Sequence, residues 1–166
     1  MRPFLLLSLT SLLLLTACAT NTETSPDATV TSEFRQNDQN GKSVALSDFR
    51  GNVVLVEFWA TWCPPCRAHM PWVKELGNTF DQDDFTIIGV SLDYDLDAWR
   101  SYIVENNLDW VHVSDGNYWN NSVARQFDVR STPTFMIFDR KGNRVGDTWR
   151  FNEIEAQIRT LLEAPE

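Results

Sequence analysis

The chain has 166 residues, a net charge of −9 and three cysteines, and 43% of its residues are hydrophobic. This length suits one domain with a sizeable core and is too short for two domains of ordinary size. This negative net charge repels the phosphate groups of nucleic acids, so it argues against nucleic-acid binding.

The first residues have the pattern of an export signal. Arg2 supplies a positive charge, and an almost wholly apolar run extends from Phe4 to Thr16. Because a membrane-spanning helix needs ~20 apolar residues, we predict a signal peptide over residues 1–17. The run ends in "LTAC", which resembles the lipobox of bacterial lipoproteins and implies that Cys18 becomes a lipidated N-terminus. The alternative is an ordinary secretory signal with a chance cysteine.

Residues 18–32 are mostly small and polar. A segment with so few large apolar side chains cannot bury enough surface to become ordered, so we predict a flexible tether. The folded domain is then expected over residues 33–166. A lipid on Cys18 would hold that domain at a membrane surface, because each buried methylene adds ~0.8 kcal/mol.

Apolar runs of strand length alternate with segments of helical spacing in this domain. Continuous runs predict strands at Val53–Ala60, Phe85–Asp93, Trp110–Ser114 and Thr134–Asp139. Helical patterns are found at Cys66–Leu76, Leu96–Asn106, Asn121–Phe127 and Ile154–Leu162. A turn is expected at Asp139–Val145, where Gly142 suits a positive φ. The alternation predicts an α/β fold, with a mixed sheet and helices on both faces.

Two cysteines, Cys63 and Cys66, follow the first predicted strand. A disulfide that closes so short a loop constrains the unfolded chain very little, so reactivity explains the pair better than structural stabilisation. Cys63 lies at the junction of strand and helix, where unsatisfied N–H groups and the positive end of the helix favour a thiolate. We therefore predict that Cys63 attacks and that Cys66, one turn later, resolves.

Pro64 and Pro65 fill the gap between the two cysteines. The first turn of a helix tolerates proline, because its N–H has no partner there to lose. The two prolines also remove N–H donors from the neighbourhood of Cys63, which predicts a less stabilised thiolate and a more reducing pair. Pairs of this chemistry range from ~−270 mV to ~−120 mV, and we expect the lower half of that interval.

Glu57 is the one carboxylate in the apolar run of the first strand, six residues before Cys63. A buried carboxylate is costly unless it is paired, so we expect its pKa to be raised. It could then accept the proton of Cys66 when that thiol attacks a mixed disulfide. The alternative is that Glu57 faces solvent or pairs with a lysine such as Lys74.

The segments "FWATWCPPC", residues 58–66, and "TPTF", residues 132–135, together resemble the thioredoxin-fold proteins. In detail they are similar to the exported, membrane-tethered TlpA/ResA-like thiol–disulfide oxidoreductases, over about residues 33–150. The resemblance implies a thioredoxin-like mixed β-sheet flanked by helices, with an N-terminal β-hairpin. It also implies a helix-plus-strand insertion at about residues 94–114.

The same resemblance implies roles for individual residues. Cys63 would be the nucleophile and Cys66 the resolving thiol of a redox-active disulfide. Pro133 would be a cis-proline facing that disulfide, with the backbone of its neighbour Thr132 offered to an incoming peptide. Glu57 matches the buried acid of thioredoxin, although many close relatives carry Asn there.

Aromatic residues and partners are also implied. Trp62 and Trp59 match the aromatics around the family's site, where a packing role is at least as good an explanation. Trp110, Tyr118 and Trp119 could line a binding groove, although burial in the core is the commoner role of aromatic residues. The family implies oxidised client proteins such as an apocytochrome, and a transmembrane thiol reductant carrier upstream. We expect a monomer without a cofactor, anchored on the periplasmic side of a bacterial membrane.

Three other functions are compatible with parts of the sequence. Cys63, Cys66 and His69 form C-x-x-C-x-x-H, three ligands suited to copper or zinc, although we expect His69 to be an exposed helix residue. A thiol peroxidase would need a threonine three residues before the reactive cysteine, whereas Thr61 stands two before it. A module that only binds partners would not need both Cys63 and Cys66.

Overall fold

The computed structural model describes residues 32–148 and 150–164. The predicted signal peptide, the lipidated Cys18 and nearly all of the tether lie outside these residues, so those three features stay predictions. No helix in the described ranges has the length and apolar character needed to cross a bilayer.

A five-stranded sheet forms the centre of the domain. Its strands are β3 (Val53–Trp59), β4 (Phe85–Ser91), β5 (Val111–Val113), β6 (Thr134–Phe138) and β7 (Arg144–Asp147). Their order across the sheet is β5-β4-β3-β6-β7. β3, β4 and β5 are parallel, whereas β6 runs antiparallel to β3 and to β7. The predicted mixed sheet is therefore confirmed.

The remaining elements complete a thioredoxin-like fold. β1 (Arg35–Asn37) and β2 (Ser43–Ala45) form a separate antiparallel hairpin. The helices are α1 (Pro64–Thr79), α2 (Leu96–Glu105), α3 (Ser122–Gln126) and α4 (Phe151–Glu163). Short 3₁₀ turns lie at Leu46–Phe49 and Tyr118–Asn120. The expected N-terminal hairpin is present, and α2 with β5 forms the expected helix-plus-strand insertion.

Two hydrophobic cores cover the sheet, and β3 contributes to both. Val54, Val56 and Phe58 belong to the core that includes buried residues of α2 and α3. Val53 and Leu55 belong to the core that includes the second half of α1 and the buried face of α4. All seven residues of β3 are buried. This double burial explains why the strand appears in the sequence as a continuous apolar run.

Glu57, Gly89 and His112 occupy one row across the three parallel strands. Side chains at aligned positions of neighbouring strands point to the same face. The missing side chain of Gly89 leaves space for the buried ring of His112, whose centroid lies 5.5 Å from that of Trp59. Burial lowers the pKa of His112 to about 3, so its imidazole is neutral in this core.

We predict that Gly89→Ala destabilises the fold. A Cβ on Gly89 would lie 2.6 Å from His112 Nδ1 and 2.9 Å from Trp59 Nε1, so the two rings would have to move. Overpacking of this kind costs ~1–3 kcal/mol. Urea unfolding monitored by tryptophan fluorescence measures the change in the free energy of unfolding.

Gly146→Ala provides the matched control. Gly146 is also a strand glycine, but a methyl group there meets only the end of the flexible Gln157 side chain. We expect its unfolding free energy to stay within about 0.5 kcal/mol of the wild type. A Gly89→Ala protein as stable as the wild type would contradict the packing described for this row.

Candidate active site

Cys63 and Cys66 form a disulfide at the beginning of α1, with 5.3 Å between their Cα atoms. Cys63 is the N-cap residue of this helix, and Cys66 N–H donates to its Sγ at 3.2 Å. Pro64 and Pro65 occupy the first two helical positions, as predicted, so neither supplies an N–H. The Cys66 N–H is therefore the first donor of the helix, and it is already directed at the Cys63 sulfur.

The two cysteines differ in exposure. Cys63 is 3% exposed, whereas Cys66 is completely buried. Cys63 therefore keeps a small exposed fraction, whereas Cys66 has none. This asymmetry fits the predicted division between an attacking and a resolving thiol.

Thr132 contacts the disulfide from the loop before β6, and Pro133 follows it in the chain. The peptide bond between them is cis, as the family resemblance implies. The Thr132 hydroxyl donates to Cys63 Sγ at 3.4 Å, and the Thr132 carbonyl oxygen lies 3.8 Å from the same sulfur. The structure thus brings Thr132, Pro133 and Cys63 together, although they are far apart in the sequence.

Asp93 holds the turn before Cys63, and the sequence analysis did not identify it. This buried carboxylate accepts hydrogen bonds from the Thr61 N–H at 3.0 Å and the Thr61 hydroxyl at 2.6 Å. It also accepts one from the Ser91 hydroxyl at 2.7 Å. Asp93 follows β4 as Cys63 follows β3. That shared position beyond the carboxyl ends of adjacent parallel strands was the signal that would have found it.

An aromatic patch lies beside Cys63, formed by Trp62, Tyr94, Tyr118 and Trp119. Trp62 donates its indole N–H to the Leu92 carbonyl at 3.3 Å, and its ring lies 5.0 Å from Tyr118 and 6.0 Å from Trp119. Tyr94 extends the patch at 6.2 Å from Tyr118.

Trp110 and Trp59, the other aromatic residues considered from the sequence, serve the core instead. The Trp110 ring lies 5.0 Å from the buried ring of His112. Trp59 is completely buried and contacts His112 and Tyr102. The packing explanation therefore accounts for both tryptophans.

Glu57 is completely buried, as predicted, and is paired. Its Oε1 lies 3.1 Å from His69 Nε2, while its buried Oε2 has no hydrogen-bond partner within the described ranges. Burial raises the pKa of Glu57, and the hydrogen bond and charge of His69 partly oppose that rise. The alternative pairing with Lys74 is wrong, because Lys74 donates to the Asn107 carbonyl.

The expected exposure of His69 is also wrong. His69 is 8% exposed, and its ring centroid lies 5.4 Å from both Phe135 and Phe151. The reason is helical spacing, because His69 shares the buried face of α1 with Cys66 and Val73.

This burial bears on the copper or zinc alternative. The imidazole that would supply the third ligand is engaged with Glu57. Within residues 32–148 and 150–164, no three His, Cys, Asp or Glu side chains are arranged to hold a metal ion. The observed geometry does not favour that alternative.

We predict that Asp93→Ala weakens the turn before Cys63. The substitution leaves the Thr61 N–H and the Ser91 hydroxyl without their acceptor, and an unsatisfied buried group costs ~1–3 kcal/mol. Chemical denaturation of the oxidised protein measures the loss. Asp97→Ala is the control, because Asp97 makes an exposed ion pair with Arg100 worth ~0–1 kcal/mol. Equal effects of the two substitutions would contradict the role given to Asp93.

Known proteins match this chain in sequence. A thioredoxin-like family profile matches residues 51–145. The thiol-disulfide oxidoreductase ResA of Oceanobacillus iheyensis is 38% identical over 120 residues, which cover 72% of this chain and 60% of that protein. ResA of Bacillus thuringiensis subsp. konkukian is 29% identical over 110 residues, which cover 66% of this chain and 61% of that protein. The matches thus span about three fifths of the length of these relatives.

A solved structure matches as well. The thioredoxin domain of a thiol-disulfide oxidoreductase from Bacteroides vulgatus superposes with a TM-score of 0.72 and 28% identity. The superposition covers 80% of this chain and 95% of that chain. The family profile spans more than half of the residues, and the fold and the cysteine pair agree with it. The chain therefore belongs to the thioredoxin-like family.

Proposed function

We propose that this protein is a thiol–disulfide oxidoreductase that reduces disulfides of exported proteins by dithiol exchange at Cys63 and Cys66. The observation that carries the proposal is the Cys63–Cys66 disulfide at the N-terminus of α1, in which Cys63 retains 3% exposure and Cys66 has none. The similarity to the thiol-disulfide oxidoreductases ResA supports the same reaction class.

The exchange proceeds in two steps. The Cys63 thiolate attacks one sulfur of a client disulfide, so a Cys63–client bond forms and the client's second sulfur leaves as a thiolate. Cys66 then loses its proton and attacks Cys63 Sγ. The Cys63–Cys66 bond forms, the first client sulfur leaves as a thiolate, and the client has gained two electrons from the pair.

The second step needs an acceptor for the proton of Cys66. Water has no access to Cys66, because this residue is completely buried. Glu57 is the buried carboxylate of the strand that leads to the site, and its pKa is raised by burial. Its unpaired Oε2 is the oxygen available to receive a proton. We assign Glu57 as the general base of the resolving step.

Two surfaces are available to a client around Cys63. On one side, the backbone of Thr132 next to Pro133 can hydrogen-bond to an extended segment. On the other side, the aromatic patch offers apolar area, with Trp62 36% and Tyr118 41% exposed. A client cysteine that reaches Cys63 must bring its neighbouring residues over one of these surfaces.

The cellular setting belongs to the same proposal. The predicted signal peptide and lipidated Cys18 would hold the domain on the periplasmic side of a membrane. Because disulfides persist in such an oxidising compartment, a reducing pair there needs electrons from elsewhere, and a transmembrane thiol reductant carrier would supply them. Oxidised apocytochromes in cytochrome c maturation are one class of client with the required cysteines.

The test is to trap the mixed disulfide. Without its resolving thiol, Cys66→Ala should accumulate Cys63–client disulfides when the full chain is expressed in the bacterium that carries it. Mass spectrometry after acid quenching and non-reducing separation identifies the partners. The matched control is Cys63→Ala in the Cys66→Ala background, which should trap none. Adducts that are equally abundant in both variants, or absent from both, would count against the exchange.

A further inference from the structure

Glu57 is enclosed in the protein and has a single hydrogen-bond partner within the described ranges. It is 0% exposed, and its neighbours in the sheet are Gly89 and Phe135, neither of which can carry a proton. Its one partner is His69, through Oε1. A carboxylate that accepts a proton in each catalytic cycle must also lose it, so the path for that loss has to be found among these contacts.

His69 connects Glu57 with the surface. Its Nε2 contacts Glu57 Oε1, and the residue retains 8% exposure. An imidazole can hold a proton on one ring nitrogen and release another from the second. The ring centroids of Phe135 and Phe151 each lie 5.4 Å from that of His69, so aromatic side chains contact the imidazole beside its bond with Glu57.

Several other ionisable groups lie on the elements around the pair. On α1, Cys66 lies one turn before His69, while Lys74 is bound to the Asn107 carbonyl. On α4, the residue next to Phe151 is Arg150, which forms an ion pair with Glu153. On β5, His112 lies in the row of Glu57 but beyond Gly89.

We propose that Glu57 and His69 form an electroneutral proton relay for Cys66. Before the resolving step the pair is a carboxylate and an imidazolium, with zero net charge. The Cys66 proton moves to Glu57 Oε2, and His69 releases a proton from Nδ1 to solvent, which leaves a carboxylic acid and a neutral imidazole. Reduction of the disulfide by the upstream partner reverses both transfers. The relay rests on the exchange reaction proposed above.

The cost of burying charge explains why two groups serve here better than one. A lone buried carboxylate would alternate between a charged and a neutral state, and the charged state is expensive away from water. With His69 opposite, the enclosed pair has no net charge in either half of the cycle. His69 is therefore a positioning and relay residue, because it acts on the reacting sulfur through Glu57.

The experiment follows Cys66 attack directly. The full chain, with Cys18→Ser in every variant, is reduced and mixed with 5,5′-dithiobis(2-nitrobenzoic acid), which places a thionitrobenzoate on Cys63. Attack by Cys66 releases that group, and stopped-flow absorbance gives the rate. We expect His69→Gln, which retains a hydrogen-bond donor but cannot change its charge, to slow this release by at least ~10-fold at neutral pH.

Two further readouts separate a relay from a structural role. The wild-type rate should depend on pH, because the proposed relay exchanges a proton with solvent, and His69→Gln should lose the part of that dependence that His69 contributes. In His69→Ala, added imidazole should enter the vacated space and restore the rate as its concentration rises, with no effect on the wild type. Lys74→Gln, on the same helix, is the matched control and should resolve at the wild-type rate.

The outcomes distinguish the relay from the underlying function. His69 variants that resolve as fast as the wild type, while Glu57→Gln is slow, would overturn the relay and leave thiol exchange standing. A slow His69→Gln with the wild-type pH profile, or a slow His69→Ala that imidazole does not rescue, would also overturn it. A wild-type protein in which Cys66 never displaces the thionitrobenzoate from Cys63 would instead refute the exchange reaction itself.

Discussion

The contact between the Cys66 N–H and Cys63 Sγ is the interaction on which the account of this site depends. It places the sulfur at 3.2 Å from the first available donor of α1, at the end of the helix that carries partial positive charge. Pro64 and Pro65 fix the backbone of that turn and leave Cys66 as the nearest amide. Asp93 holds the preceding turn through Thr61. The reactive atom is therefore positioned by the backbone at the start of α1 and by the side chain of Asp93.

Two ionisable side chains, Glu57 and His112, are buried in one row of the sheet, where a charge is costly. Glu57 is compensated by His69, whereas His112 avoids charge because burial lowers its pKa to about 3. Gly89 lies between them and provides the space that the rings of His112 and Trp59 fill. A purely apolar row would pack at lower cost, so we interpret the retained ionisable pair as part of the proton chemistry.

The sequence predicted those features that local rules determine. The buried strands followed from apolar runs, the helix start from Pro64 and Pro65, and the burial of Glu57 from its place in β3. Contacts between distant elements could not be derived in this way. Asp93 bonds Thr61 from the next strand, and the burial of His69 requires knowing which face of α1 meets β3. The packing of Trp110 against His112 could not be predicted either, because that contact is apparent only when the sheet register is known.

The most direct measurement of the central claim is the ionisation of Cys63 in the reduced full chain. Alkylation rates of the individual cysteines between pH 4 and pH 10, read by mass spectrometry of their peptides, report the thiolate of each one. The account predicts that Cys63 ionises below the ~8.5 of free cysteine, because the helix terminus and the Cys66 N–H stabilise the anion. It predicts slower alkylation of Cys66, which is buried. A Cys63 that titrates at or above the value of free cysteine would contradict the account.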